Sequence, residues 1–182
     1  MFFILIIVVL IVFVFALYNS LIQLRNKVKN AWSQIDVQLQ RRFDLIPNLV
    51  DTVKGYMDHE KGVLEQISKL RTSWADASTM TEKAVLDTQI SESLKTIMAI
   101  SENYPDLKAN TNFTELQEEL RNTENKIAYA RQFYNDCTTR YNIKLEIIPS
   151  NIVASIFNFK PEELFKAESE EVKQNVKVDF NK

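Results

Sequence analysis

The side chains best suited to chemistry are few in this chain, and they stand apart. There is one histidine, His59, and one cysteine, Cys137. A nucleophilic thiol needs an adjacent base, and a zinc site needs three or four His or Cys ligands at fixed spacing. No HExxH, CxxC, GxSxG or glycine-rich phosphate loop occurs. Carboxylates cluster at Glu118 and Glu119 and at Glu168, Glu170 and Glu171. These could gather cations, but such runs are ordinarily solvated faces. A di-metal bundle would use inward Glu-x-x-His motifs, and the chain has none. The expectation is therefore no catalytic residue, no metal, no cofactor and no enzyme. His59 reads as a surface or bundle-edge residue. Cys137 reads as a buried, inert thiol.

The informative polar residues lie elsewhere. Arg41, Arg42 and Asp44 crowd one apolar stripe, and Thr123, Glu124, Asn125, Arg131, Gln132, Asn135 and Asp136 crowd another. Long polar side chains beside a helix seam can fix register by pairing across it. An interhelical network is expected here, for instance Arg41 or Arg42 with Glu124 or Asp136.

Helices must position these groups. Among 182 residues there are only two glycines, Gly55 and Gly62, and four prolines, Pro47, Pro105, Pro149 and Pro161. Sheet proteins need many turn residues, so the class is all-α. The net charge of −2 leaves no basic excess for nucleic acid, and no nucleic-acid partner is expected.

Leu21, Leu24, Val28, Ala31 and Ile35 recur at helical steps, with Trp32, Leu39, Phe43 and Ile46 widening the stripe. Pro47 lacks an N–H and disfavours helical geometry at Ile46, so the first helix is expected to stop there. A second helix should start near Pro47, with Val50, Val53, Met57, Leu64, Ile67 and Trp74 inward. Gly55 and Gly62 fall inside it, either for close approach of another helix or as weak surface positions. Residues 75–81 (ADASTMT) form a loop whose hydroxyls can cap a third helix, with Glu82 following. That helix carries Leu86, Ile90, Leu94, Ile97 and Ile100 inward and ends near Asn103.

The fourth helix has the cleanest period: Phe113, Leu116, Leu120, Thr123, Ile127, Ala130, Tyr134, Cys137 and Tyr141. Asn112, three residues before Glu115, resembles a capping arrangement, and Pro149 closes the helix. Residues 150–159 (SNIVASIFNF) read as a brief helix folded back on the bundle, or as an apolar patch meeting a partner or the membrane. The first is favoured. Residues 160–182 read as a mobile acidic tail, in which Val178, Asp179 and Phe180 are a weak candidate recognition peptide.

Residues 1–17, MFFILIIVVLIVFVFAL, carry no charged or hydrogen-bonding side chain. A helix of about 20 apolar residues crosses the hydrocarbon of a bilayer while satisfying its own backbone. Phe2, Phe3, Ile4, Leu10, Phe13, Phe15 and Leu17 are the candidate anchor residues. A cleavable signal peptide would want a basic stretch before the run and small residues after it. Nothing basic precedes Phe2, and Ala16-Leu17-Tyr18 is a poor cleavage site. Arg25, Lys27 and Lys29 follow the run with no acidic residue until Asp36, so they can meet anionic headgroups.

The stretches 30–60 (NAWSQIDVQLQRRFDLIPNLVDTVKGYMDHE), 102–136 (ENYPDLKANTNFTELQEELRNTENKIAYARQFYND) and 149–160 (PSNIVASIFNFK), with VDF near the end, together resemble the LemA family. The resemblance covers nearly the whole chain in order. It implies an N-terminal transmembrane helix continuing into a long antiparallel up-and-down helical bundle, in a bacterial membrane protein with no established catalytic reaction. Members of that family are often found near genes for membrane-associated proteins, zinc peptidases among them, and some look like lipoproteins with the bundle outside the cell.

The expected organisation is an anchor at 1–24, a helical bundle at 25–159 and the acidic tail at 160–182. The expected function is a non-enzymatic membrane-anchored scaffold, self-associating at the cell membrane. The alternatives are a membrane-shaping or lipid-organising assembly and an adaptor for a membrane-associated protease. Expected partners are the lipid bilayer, further copies of the chain and a membrane protein. The basic residues after the span place the bundle in the cytoplasm.

Overall fold

The computed structural model describes residues 1–56 and 61–165. His59, Met57, the acidic residues at 168–171 and Val178 to Phe180 lie outside the described residues. Regular structure among the described residues is helical throughout: α1 (Phe2–Lys54), α2 (Lys61–Asp76), α3 (Met80–Ser101), α4 (Pro105–Lys108), α5 (Thr111–Glu146) and α6 (Ser150–Ile156). The chain divides into two compact units, one of Met1–Arg41 with Arg121–Phe165 and one built from Arg42–Leu120. α1 and α5 each supply a stretch to both.

In the first unit, α1 buries Leu21, Val28, Ala31, Ile35 and Leu39. α5 buries Thr123, Ile127, Ala130, Tyr134, Thr138 and Tyr141. Trp32 meets Tyr134 edge-on at 6.0 Å and stacks near Phe165 at 6.2 Å. Most of the stripe expected on α5 is buried, but Leu116 and Cys137 are only half-buried, and Thr138 is fully buried in place of Cys137. A helix of 3.6 residues per turn drifts against a strict three-four repeat, and here the drift exchanges neighbours.

In the second unit, Phe43 stacks on Trp74 with ring centroids 4.3 Å apart, and α2 packs on α3. The expected break at Pro47 does not occur, because α1 runs through it to Lys54. Losing one hydrogen bond and crowding the preceding turn costs about 3 kcal/mol. Phe43, Ile46, Leu49, Val50 and Val53 are buried on both sides of the proline. Each such side chain gains roughly 1.5–3 kcal/mol on burial, so keeping both flanks in one helix outweighs the defect. α1 ends instead at Lys54, and beyond it Tyr56 N–H turns back to the Val53 carbonyl at 3.0 Å. A Cβ at Gly55 or Gly62 would meet nothing within 4 Å, so neither glycine serves a close helix approach.

Helix starts follow local chemistry. Thr79 Oγ1 accepts from Glu82 N–H while the Glu82 carboxylate accepts from Thr79 N–H, a complete capping box for α3. Those backbone donors at Thr79 and Ser78 hold the Glu82 carboxyl below its ordinary range. For α5 the cap is Asn110 rather than Asn112, its Oδ1 accepting from Phe113 N–H at 3.1 Å.

Candidate functional site

The residues that distinguish this molecule gather in the first unit, where the apolar end of α1 meets α6. Phe2, Phe3, Ile4, Leu10, Phe13 and Phe15 are all exposed along α1, in an apolar window of which the rest of the chain buries 0%. Coverage begins at Val14. Val14, Leu17 and Tyr18, together with Leu145 and Phe159, pack around a small core of Leu21, Val153 and Ala154. The segment at 150–159 thus folds back on the bundle as favoured, and it does so against the last apolar turns of α1.

The local sequence dictates that return. After α5, the Ile148–Pro149 peptide is cis, and α6 begins at once. The Ser150 hydroxyl donates to the carbonyl oxygens of Lys144 and Ile147, at 2.7 and 3.0 Å. α6 ends with Asn158 at φ 54°, while Phe159 N–H reaches the Ala154 carbonyl and Asn158 N–H the Ser155 carbonyl. This left-handed termination satisfies the last carbonyls and reverses the chain, and asparagine tolerates the conformation better than most residues. Phe157 and Phe159 then bracket Tyr18 at centroid distances of 4.8 and 5.7 Å. The Arg25 guanidinium lies 5.3 Å from the Phe159 ring centre. Of the three cations after the apolar run, Arg25 is half-buried, while Lys27 and Lys29 are exposed.

Beyond Phe159 the chain does not leave the surface. Residues 160–165, assigned from sequence to the mobile tail, form an extended strap held by α5. Tyr141 Oη donates to the Lys160 carbonyl at 3.0 Å, and Tyr134 Oη to the Glu163 carbonyl at 2.8 Å. Asn142 bonds both the N–H and the carbonyl of Glu162, at 3.0 and 2.9 Å. Asn135 does the same to Phe165, at 2.8 and 3.1 Å. Phe165 is buried under the Arg131 guanidinium, 4.7 Å from its ring centre. The spacing explains the fit. Seven helical residues rise about 10.5 Å, and three extended residues span about 10 Å. Tyr-Asn pairs one heptad apart therefore match strap positions three apart. Burial pushes the Tyr134 and Tyr141 phenols up. Glu162 and Glu163 reinforce this at Tyr134 against the Thr138 hydroxyl, and Glu162 does so at Tyr141 against Arg25.

The candidate polar residues divide accordingly. Arg131 and Asn135 serve the strap. Glu124 is half-buried on α5, whereas Asn125 and Asp136 are exposed there, as are Arg41 and Asp44 on α1. Arg42 is buried, and its Nη1 meets Asp87 Oδ1 at 2.7 Å, both side chains nearly inaccessible. Asp87 was outside the expected network, although it falls on the stripe of Ile90, Leu94 and Ile97. A charge at a stripe position was the legible signal, and Leu86 beside it masked it. Among the described residues no group of three or more His, Cys, Asp or Glu side chains is placed to hold a metal ion.

Comparison with known proteins gives the family. A family model described as the LemA family matches residues 31–180. Protein LemA of Metamycoplasma hominis is 27% identical over 150 residues, covering 82% of this chain and 68% of that protein. Magnetosome protein MamQ 2 of Paramagnetospirillum magneticum is 26% identical over 175 residues, covering 82% of this chain and 64% of that protein. Magnetosome protein MamQ of Magnetospirillum gryphiswaldense is 24% identical over 174 residues, with 81% and 64% covered. The chain thus spans just under two thirds of the MamQ proteins' length.

Proposed function

The chain belongs to the LemA family, and on that premise we propose that it is a membrane-anchored, non-catalytic helical scaffold that self-associates at the cell membrane. The observation that carries the reading is the bare apolar stretch of α1. Its side chains stay exposed through Phe13, and nothing else in the described chain covers them. Apolar surface of that extent is stable only in a non-aqueous environment, and a helix satisfies its own backbone in lipid. The clamped strap supports a rigid surface within the first unit. Lys27 and Lys29, following the span, favour a cytoplasmic bundle.

A second reading, an assembly that shapes or organises lipid, draws on the relatives named as magnetosome proteins. Both readings turn on assembly. The mass of the full chain in nanodiscs, beside a version starting at Asn19, tests it. A defined oligomer that requires the anchor is the expected result. Monomers in both would remove self-association and leave a tether for another protein.

A further inference from the structure

The inner face of α6 is accounted for by its packing on α1, but its outer face is not. Ile148 is 79% exposed, Ile152 57%, Ile156 71% and Phe157 50%, with Ile147 beside them also exposed. No charged residue occurs from Ile147 to Phe159, whereas Lys144, Glu146 and Lys160 flank the stretch. A contiguous patch of branched apolar side chains and an aromatic ring is unusual on a surface facing water.

The depth of the patch follows from what its inner face touches. Val153 and Ala154 pack in one cluster with Val14 and Leu17. Val14 lies inside the apolar run, about 4–5 Å along the helix before its end at Leu17. A helix in contact with that turn sits at the same level as the turn. If α1 spans the bilayer there, α6 cannot be in bulk water. The aromatic rings fit this placement, since Tyr18, Phe157 and Phe159 cluster at one level of α1. Aromatic side chains favour the boundary between hydrocarbon and headgroups.

We infer that α6 is a second membrane element. Its Ile152 and Ile156, with Ile148 and Phe157 just beyond its two ends, insert among the acyl chains of the same bilayer that holds α1, with Lys144 and Lys160 at headgroup level. The occupant of this face is lipid rather than a protein partner, because the opposite face of the same helix packs on Val14 and Leu17 of the anchor. It rests on the membrane-anchor reading above. α1 and α6 would then grip the membrane at two points and oppose rotation of the unit about the axis of α1.

The test uses the full chain carrying Cys137→Ser, reconstituted in phosphatidylcholine–phosphatidylglycerol vesicles. A single environment-sensitive fluorophore is placed at Ile152→Cys, Ile156→Cys, Leu10→Cys or Tyr129→Cys. Ile152 and Ile156 are exposed, so labelling them leaves the core intact. Tyr129 is also exposed, but it lines a groove with Ser33 and Val37, roughly 25–30 Å further along α1 than Leu17. Lipids brominated near the headgroup end of the acyl chain are expected to quench the probes at 152 and 156. Those two probes should be blue-shifted and shielded from aqueous iodide, whereas the probe at 129 should be open to iodide. Quenching at Leu10 by lipids brominated deep in the chain, with 152 and 156 open to iodide, would overturn the inference and leave the anchor standing. Failure to quench at Leu10 would overturn both. Equal lipid quenching at 129 would also overturn the inference.

Discussion

At the scale of single residues, the most consequential contact is between Arg42 and Asp87. Both are buried, and their 2.7 Å hydrogen bond is an ion pair with little access to water. Removing one partner takes from the other a charge-assisted bond made out of water, which in buried pairs costs about 3–5 kcal/mol, while replacing both with apolar residues of similar volume is less harmful. Asp87→Leu and Arg42→Met should each destabilise strongly, and the double variant should recover most of the loss in urea unfolding followed by tryptophan fluorescence in a Trp32→Phe background. Simple additivity would show that the pair is not coupled. The two strap tyrosines make a second prediction. Their phenols are raised above the ordinary value, so the neutral form is favoured in the folded protein. Their contribution is complete below about pH 10, the unfolded value, and is lost as pH rises through the folded values. The strap should therefore loosen only at strongly alkaline pH, and Tyr134→Phe or Tyr141→Phe should each remove a late component from the phenolate absorbance titration. Titration curves unchanged by both substitutions would contradict this.

At the scale of elements, the sequence was most legible where burial and period coincide. Val28, Ile35, Ile67, Ile97 and Ile127 are core residues as their spacing requires. The Thr79–Glu82 box was visible as hydroxyls and a carboxylate ahead of an apolar run. Two things were not legible. The passage of α1 through Pro47 is decided by tertiary burial on both flanks, which no local propensity contains. The strap was hidden because its partners on α5 bond its backbone, so residues 160–165 carry a tail-like composition while being held in place. The Tyr-Asn repeat one heptad apart was the available clue. The turn that starts the strap gives the prediction at this scale. Asn158 sits at φ 54°. A side chain without asparagine's tolerance pays roughly 1 kcal/mol or more there. Asn158→Ala should lower the melting temperature, and Asn158→Gly should not. Equal effects would mean that backbone conformation is not what this residue supplies.

For the whole molecule, the family and the helical class were readable from motif order and composition, because each is written along the whole chain. The membrane-facing surfaces were readable only in part. The apolar run at the start of α1 declares itself, but the outer face of α6 is too short to have a period of its own. Its role depends on which turn of α1 it touches. The orientation proposed for the bundle is open to direct measurement. Protease added outside intact cells should leave the segment from Arg25 to Phe165 uncut, and digestion should follow only after the membrane is permeabilised. Cleavage in intact cells would reverse the orientation while leaving the anchor in place.

The strap also sets which positions of its own sequence are free to change. Among the described residues, Glu162 and Phe165 are the strap positions that donate N–H groups to α5, through Asn142 and Asn135. Pro161, which has no N–H to offer, sits where none of these bonds asks for one. A proline scan should therefore give a punctuated pattern, with Glu163→Pro and Leu164→Pro keeping the Asn bonds that Glu162→Pro and Phe165→Pro each break. Backbone hydrogen exchange at Glu162 and Phe165, whose N–H groups stay protected in the first two variants, would report it. Selection acting on such a segment constrains the course of the backbone more than the identity of its side chains. Its exposed positions are thus free to acquire new contacts without unseating the strap.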